Sequence, residues 1–246
     1  MVVSDLITRV REDYLDDTLG VNNNDSQVSE AALIRFADEA QDQACRRGDM
    51  IYDESDATIR QIQLIDGVRA YKLNQKITVL ERVLIDNVDL KHTTESGMDS
   101  NVPGWRTAAK GAPTHYYIRQ RTLYVDPVPD VSAAAKTLDL SVYRKPKTAL
   151  AAIDDPFEIF EEAQDDLVYW MLYRVYNLRD EDLNDPVAAK MYYRLFEKSY
   201  GEEVPLRTRI HQFENPRLLQ NYLNDNYSIS SISPRHDDDF DSRGWS

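Results

Sequence analysis

The chain of 246 residues carries 29 basic and 43 acidic side chains, a formal net charge of −14 at pH 7, and 42% apolar residues. That is enough apolar material for a packed core, while the acidic balance argues against a nucleic-acid binder working by general electrostatic attraction. No run of about 18 apolar residues is present to span a membrane, and Cys45 is the only cysteine, which excludes an intramolecular disulfide or a cysteine zinc cluster.

The start, Met1-Val2-Val3-Ser4-Asp5, lacks the basic and apolar stretches of a signal peptide. Synthesis and first residence in a reducing cytoplasm are therefore expected. The charge is uneven. Residues 1–57 hold 5 basic and 14 acidic groups, a net of −9, and residues 152–186 hold 2 and 11, again −9. Between them residues 58–151 hold 14 basic and 9 acidic groups, a net of +5.

Leu6, Ile7, Val10, Tyr14 and Leu15 recur at three- and four-residue steps, which predicts a helix over residues 4–18 with Ser4 as its cap. Gly20 and the run Asn22–Ser26 stop it. A second helix is predicted from Glu30 to Arg47, capped by Ser29, with Leu33, Phe36, Ala37, Ala40, Ala44 and Cys45 on one face. The pattern then turns to strands. Thr58–Leu64 and Arg69–Leu73 read as partners around the turn Asp66-Gly67, followed by a strand at Ile77–Ile85. A loop is expected over Lys91–Ala112. His115–Arg119 and Thr122–Asp126 form a hairpin around Gln120-Arg121, and Thr137–Tyr143 is the last strand.

Helical spacing returns at Glu158–Leu178, with Phe160, Ala163, Leu167, Trp170, Met171 and Leu178 on the buried face. Another helix opens at Pro186 and runs to about Tyr200. Residues 202–246 thin out in apolar content and end in the charge run Asp237-Asp238-Asp239-Phe240-Asp241. The expected fold is α+β. A helical bundle is built from residues 1–57 and 148–201, with a small antiparallel β domain (58–147) inserted between them and an extended C-terminal arm at 202–246.

Chemistry-bearing patterns are scarce. His92, His115, His211 and His236 show no metal-ligand spacing, and the eight glycines form no phosphate loop. No catalytic residue, metal or cofactor is expected. Cys45 reads as a small buried hydrophobe. Asp154, Asp155, Glu158, Glu161, Glu162, Asp165 and Asp166 read as the solvated start of a helix, where carboxylates suit the dipole. Trp105, in Pro103-Gly104-Trp105-Arg106, either caps the sheet or anchors a subunit interface, where Trp and Arg are enriched. Trp245, at the end of an acidic arm, points to contact with a partner or to disorder.

Several stretches together carry a resemblance. Leu6-Ile7, Val10-Arg11 and Leu15-Asp16-Asp17 precede Leu33 through Ala40. Pro103 through Arg106, Gly111-Ala112-Pro113-Thr114 and Leu123 through Pro129 follow, and then Ala163 and Asp166 through Arg174. In order and spacing, over about residues 4–200, this resembles the phage head–tail adaptor (connector) proteins. The resemblance implies a homo-oligomeric ring, commonly dodecameric, beneath the portal protein at the head–tail junction of the virion. Such a ring is assembled in the host cytoplasm, holds a tail or nozzle protein below, and lines part of a channel through which DNA passes without specific binding. An acidic wall independently suits that passage, because it repels phosphates.

Adhesion then falls to protein interfaces, for which 15 tyrosines and 3 tryptophans are available. Leu218, Leu219, Tyr222 and Tyr227 suit an arm that clasps the portal or a neighbour. Deleting residues 205–246 is then expected to block attachment to heads. The basic segment suggests that Arg119, Arg121, Arg144 and Lys145 face acidic partner surfaces, and Arg106 joins Trp105 as a candidate partner contact. Two rival classes remain: a nucleic-acid-binding module using that basic segment, and a hydrolase using the Asp154–Asp166 carboxylates.

Overall fold

The computed structural model describes residues 1–15, 27–179 and 183–215. Leu6, Ile7 and Val10 lie buried along helix α1 (Val3–Arg9) and the π-helical segment Val10–Leu15 that continues it. The start is held by Asp5 rather than Ser4. The Val2 N–H donates to Asp5 Oδ2 at 2.9 Å, and the N–H groups of Val3 and Ser4 donate to the carbonyls of Asp155 and Ile153. These distant acceptors satisfy donors that a helix start leaves open. The expected end at 16–18 lies outside the described residues. Helix α2 (Glu30–Gly48) follows expectation. Ser29 Oγ accepts the Ala32 N–H at 3.3 Å, and Leu33, Phe36, Ala37, Ala40, Ala44 and Cys45 are fully buried. Burial pushes the Cys45 thiol up to about 12, so it packs as a protonated, apolar side chain. Asp49, in the left-handed conformation at φ 48°, closes the helix.

Strand β1 (Ile51–Asp53) comes next. Where a strand is expected from Thr58, the chain first makes one helical turn, α3 (Ala57–Arg60), because Asp56 Oδ1 takes both the N–H and the hydroxyl of Thr58. Only β2 (Gln61–Gln63) is extended there, followed by β3 (Ala70–Lys72), β4 (Ile77–Ile85) and β5 (Val88–Asp89). The expected loop at 91–112 contains β6 (Lys91–His92) and helix α4 (Glu95–Asn101), whose cap Thr94 Oγ1 takes the Gly97 N–H at 3.0 Å. β7 (His115–Arg119) and β8 (Thr122–Asp126) pair as expected, with Gln120 and Arg121 at φ 47° and 60° in the turn. β9 (Thr137–Arg144) is the last strand.

The strands form two sheets. One has the order β1-β9-β4-β5, with β2 also on β9, and is antiparallel throughout. The other has the order β3-β8-β7-β6, and its β6–β7 pair is parallel. The expected hairpin of β2 with β3 does not form, since each strand joins a different sheet. The crossover is pinned by Tyr71, whose hydroxyl receives the Ile65 N–H at 3.1 Å and donates to the Val68 carbonyl at 2.9 Å. Leu80, Val83, Leu123, Val125, Leu138, Leu140 and Val142 fill the space between the sheets.

The chain then returns to the helices. The long helix expected over 158–178 is shorter, α5 (Leu167–Tyr176), preceded by a 3-10 turn at Glu161–Ala163. The acidic stretch before it is irregular because its carboxylates accept backbone hydrogen bonds instead of lining a helix. Asp155 Oδ2 takes the N–H groups of Ala151 and Ala152, and Glu158 Oε1 takes those of Lys147 and Thr148. Phe160, expected inside, is half exposed as a result. Helix α6 (Pro186–Tyr200) is capped by Asp185 Oδ1, which takes the N–H groups of Val187 and Ala188.

An aromatic seam joins α5 to α6 through Trp170, Tyr173, Tyr193, Phe196 and Tyr200, and the Tyr200 hydroxyl donates to the Ala163 carbonyl. The Arg47 side chain, fully buried, sits 5.2–5.4 Å from the rings of Trp170, Tyr193 and Phe196.

Part of the expected arm is helical and docked. Helix α7 (Leu206–Glu214) buries Phe213 in the cluster of side chains between the sheets. The fold is thus α+β, with α1, α2, α5 and α6 sharing one apolar cluster and the sheets another.

Replacing Phe213 by Ala should weaken the docking of α7 by about 3 kcal/mol. Hydrogen exchange would then speed up across 206–214 while β4 and β9 stay protected. Asp49 gives a second test. Burial, partly offset by the Thr78 hydroxyl at 3.1 Å, raises its carboxyl from 3.8 to about 6. The folded state therefore disfavours the charged form, and stability is lost as pH rises from 3.8 through 6. Asp49→Asn keeps a side chain tolerated at positive φ. It should melt higher than the parent above pH 6 and no higher below pH 4, as read by thermal unfolding across that range.

Candidate functional site

The residues singled out from the sequence fall into three places. Trp105 stands over the outer face of the second sheet in a small cluster with Met98 and Tyr117, 3% exposed. Its indole N–H donates to Asp99 Oδ1 at 2.9 Å, and its ring meets Tyr117 edge-on at 5.9 Å. The guanidinium groups of Arg69 and Arg106 lie 4.7 and 4.4 Å from the ring. Within the chain, Trp105 therefore packs as a cap on the sheet. Arg106 is the exposed outer plate of this stack and pairs with Asp99 and Glu95, and Arg119 Nη1 reaches Glu95 Oε2 at 3.2 Å. Both arginine side chains are more than half exposed.

Arg121 is a clamp between elements. Its Nη2 donates to the carbonyls of Asn74, Gln75 and Ile77, and its guanidinium lies 4.8 Å from the Phe213 ring. Burial pushes its pKa down. The neighbouring Gln120 N–H donates to Glu214 Oε1 at 2.8 Å, so the tip of the β7–β8 hairpin holds α7.

Arg144 and Lys145 join the sheets to the helices. Arg144 Nε meets Asp53 Oδ2 at 2.6 Å and its Nη1 meets Glu158 Oε2 at 2.7 Å, with the Arg144 side chain only 12% exposed. Lys145 Nζ meets Asp42 of α2 at 2.7 Å. Burial alone would raise the Asp53 carboxyl. The N–H groups of Asp56 and Ser55 and the Arg144 guanidinium outweigh it and hold the pKa down at about 2. Leu218, Leu219, Tyr222, Tyr227 and Trp245 lie outside the described residues.

At least ten of the 14 basic groups of residues 58–151 pair with a carboxylate, so the segment presents little unbalanced positive charge. Among the described residues no group of three or more His, Cys, Asp or Glu side chains is placed to hold a metal ion. No described helix is long and apolar enough to cross a membrane.

One surface escaped the sequence reading. The outward side of α6 exposes Val187 and Met191 beside Lys190, Arg194 and Lys198. A cavity of about 250 Å³ opens at its first turn, lined by Tyr173, Asn177, Pro186, Ala189, Lys190 and Tyr193. The signal was the excess of basic residues in 187–201, hidden because the apolar residues of the same helix drew attention to its other face.

The described residues thus present internal ion-pair clamps, a capped sheet and an exposed apolar patch bordered by charge. A family model described as SU10 adaptor protein matches residues 1–217, and the chain belongs to that family, one of structural phage adaptors. No curated protein matches the chain.

Arg144 and Arg119 should behave very differently when truncated. Arg144→Ala strands a buried carboxylate and should cost about 3–5 kcal/mol in urea unfolding. Arg119→Ala should stay within about 0.5 kcal/mol of the parent. Because Asp53 is depressed, the parent's advantage over Arg144→Ala should be full above pH 3.8 and shrink as pH falls toward 2.

Proposed function

We propose that the chain forms a homo-oligomeric ring, dodecameric in copy number, that docks beneath the portal and joins the phage head to a tail or nozzle protein. Family membership over residues 1–217 carries this reading. It implies a place at the virion head–tail junction, partnership with portal and tail proteins, and self-association. The ring assembles in the host cytoplasm and lines part of the channel, where the net charge of −14 lets DNA pass without sticking. The ion pairs of the basic segment weigh against a nucleic-acid-binding module, and two of the carboxylates weighed for a hydrolase, Asp155 and Glu158, are occupied with backbone N–H groups.

The adhesive surfaces are the exposed Arg106 and Arg119 corner and the segment beyond α7. Since α7 is docked on the sheets, the part able to reach a portal or neighbour begins at residue 216.

Mass measurement of the purified protein, alone and mixed with portal, tests the proposal. The expected product is a twelve-copy ring on the portal. Failure to bind portal overturns the reading, and another copy number overturns the dodecamer alone. Deleting 216–246 should block attachment to portal-bearing heads while leaving hydrogen-exchange protection of β4 and β9 unchanged, and normal attachment would remove the arm from the mechanism.

A further inference from the structure

The outward face of α6 has the composition of a docking surface. At 100° per residue, positions 187, 190, 191, 194 and 198 fall within one arc of about 100°, opposite the buried Ala189, Phe196 and Tyr200. Val187 is 80% and Met191 49% exposed. Lys190, Arg194 and Lys198 share the arc, and none of them forms an ion pair among the described residues. Glu197 stands at its flank as the helix's own acid.

The notch at the start of α6 is preformed. Tyr173 and Tyr193 meet at a tilt of 58° with ring centroids 5.1 Å apart, and the Tyr193 hydroxyl accepts from Arg47 Nη2 at 3.4 Å. Its volume of about 250 Å³ falls below that of ordinary ligand pockets and suits one large side chain. A basic stripe beside an aromatic notch selects an acidic peptide with an aromatic residue in it.

The chain contains such a peptide. Asp237-Asp238-Asp239-Phe240-Asp241 sets one aromatic ring among four carboxylates. We propose that in the free protein this segment binds the outward face of its own α6, with Phe240 in the notch and the aspartates along Lys190, Arg194 and Lys198. The tether allows it. The 21 residues between Asn215 and Asp237 span up to roughly 70 Å when extended, whereas α6, the connector 201–205 and α7 laid end to end would put Asn215 no more than about 57 Å from Pro186. A tether of this kind holds its end at millimolar effective concentration, which favours the chain's own segment over those of other copies at micromolar protein. The segment thereby covers an apolar and basic surface until a partner displaces it. The inference does not depend on the ring.

A photoreactive phenylalanine analogue at position 240 of the full chain tests this. Irradiation should give a product of monomer mass with the cross-link in 186–193, at a yield independent of protein concentration and reduced in high salt. The triple variant K190E/R194E/K198E changes only exposed side chains and should lose the product. Neutralising the aspartates at 237, 238, 239 and 241 to Asn leaves the described fold untouched and should lose it as well. Cross-links scattered over the surface, products of dimer mass, or a yield unaffected by either variant would overturn the proposal.

Discussion

The junction between sheets and helices depends on one guanidinium. Arg144 ends the strand that pairs with β1, β2 and β4, and from there it grips Asp53 on one side and Glu158 on the other. Glu158 in turn accepts the backbone of Lys147 and Thr148, and its own N–H donates to Gln41 Oε1 of α2 at 2.6 Å. Asp38 and Asp42, one turn apart on α2, take the Leu150 N–H and Lys145. The polar side of α2 thus guides the returning chain back to the bundle, while its apolar side forms the bundle's core. Charges in this setting stabilise little by themselves, because desolvation offsets much of their attraction. They favour the conformation adopted, since parting Arg144 from Asp53 leaves a carboxylate only 3% exposed without its cation.

The acidic character of the chain reads differently once its partners are known. Some carboxylates flanking the basic segment act as acceptors for loop backbone, as Asp155 and Glu158 do, and others, Asp53, Asp42 and Asp56, answer Arg144, Lys145 and Lys147. The +5 and −9 segments that look like opposed surfaces in the sequence are in part the two halves of internal ion pairs.

What the sequence reveals is local. α2, α6, β4 and the β7–β8 hairpin stand within a residue or two of their expected positions, because each has its own cap, turn or period: Ser29, Pro186, the alternation of Ile77–Ile85, and Gln120-Arg121. The failures share a cause. β2 and β3 part because Tyr71 and the pairing of β9 decide their company. The long helix begins late because Glu158 is claimed by residues ten or more positions earlier in the chain. α7 is recognised only through Phe213 and Arg121, more than ninety residues apart. The candidate residues divide likewise. Arg121, Arg144 and Lys145 have structural partners that no spacing rule announces, whereas the α6 stripe was present as a simple basic excess.

The shared apolar cluster has a consequence for synthesis on the ribosome. The face of α2 formed by Leu33, Phe36 and Ala40 is covered by α5, and the two are separated by the whole sheet-forming segment. At ~5–20 residues per second, roughly 6–24 s of translation pass before α5 emerges to cover it. During that interval the sheets can assemble from neighbouring strands while the first helices wait, their oily side open to solvent. The bundle therefore closes only after the strands are complete, and a nascent chain stalled before Leu167 leaves this apolar face uncovered.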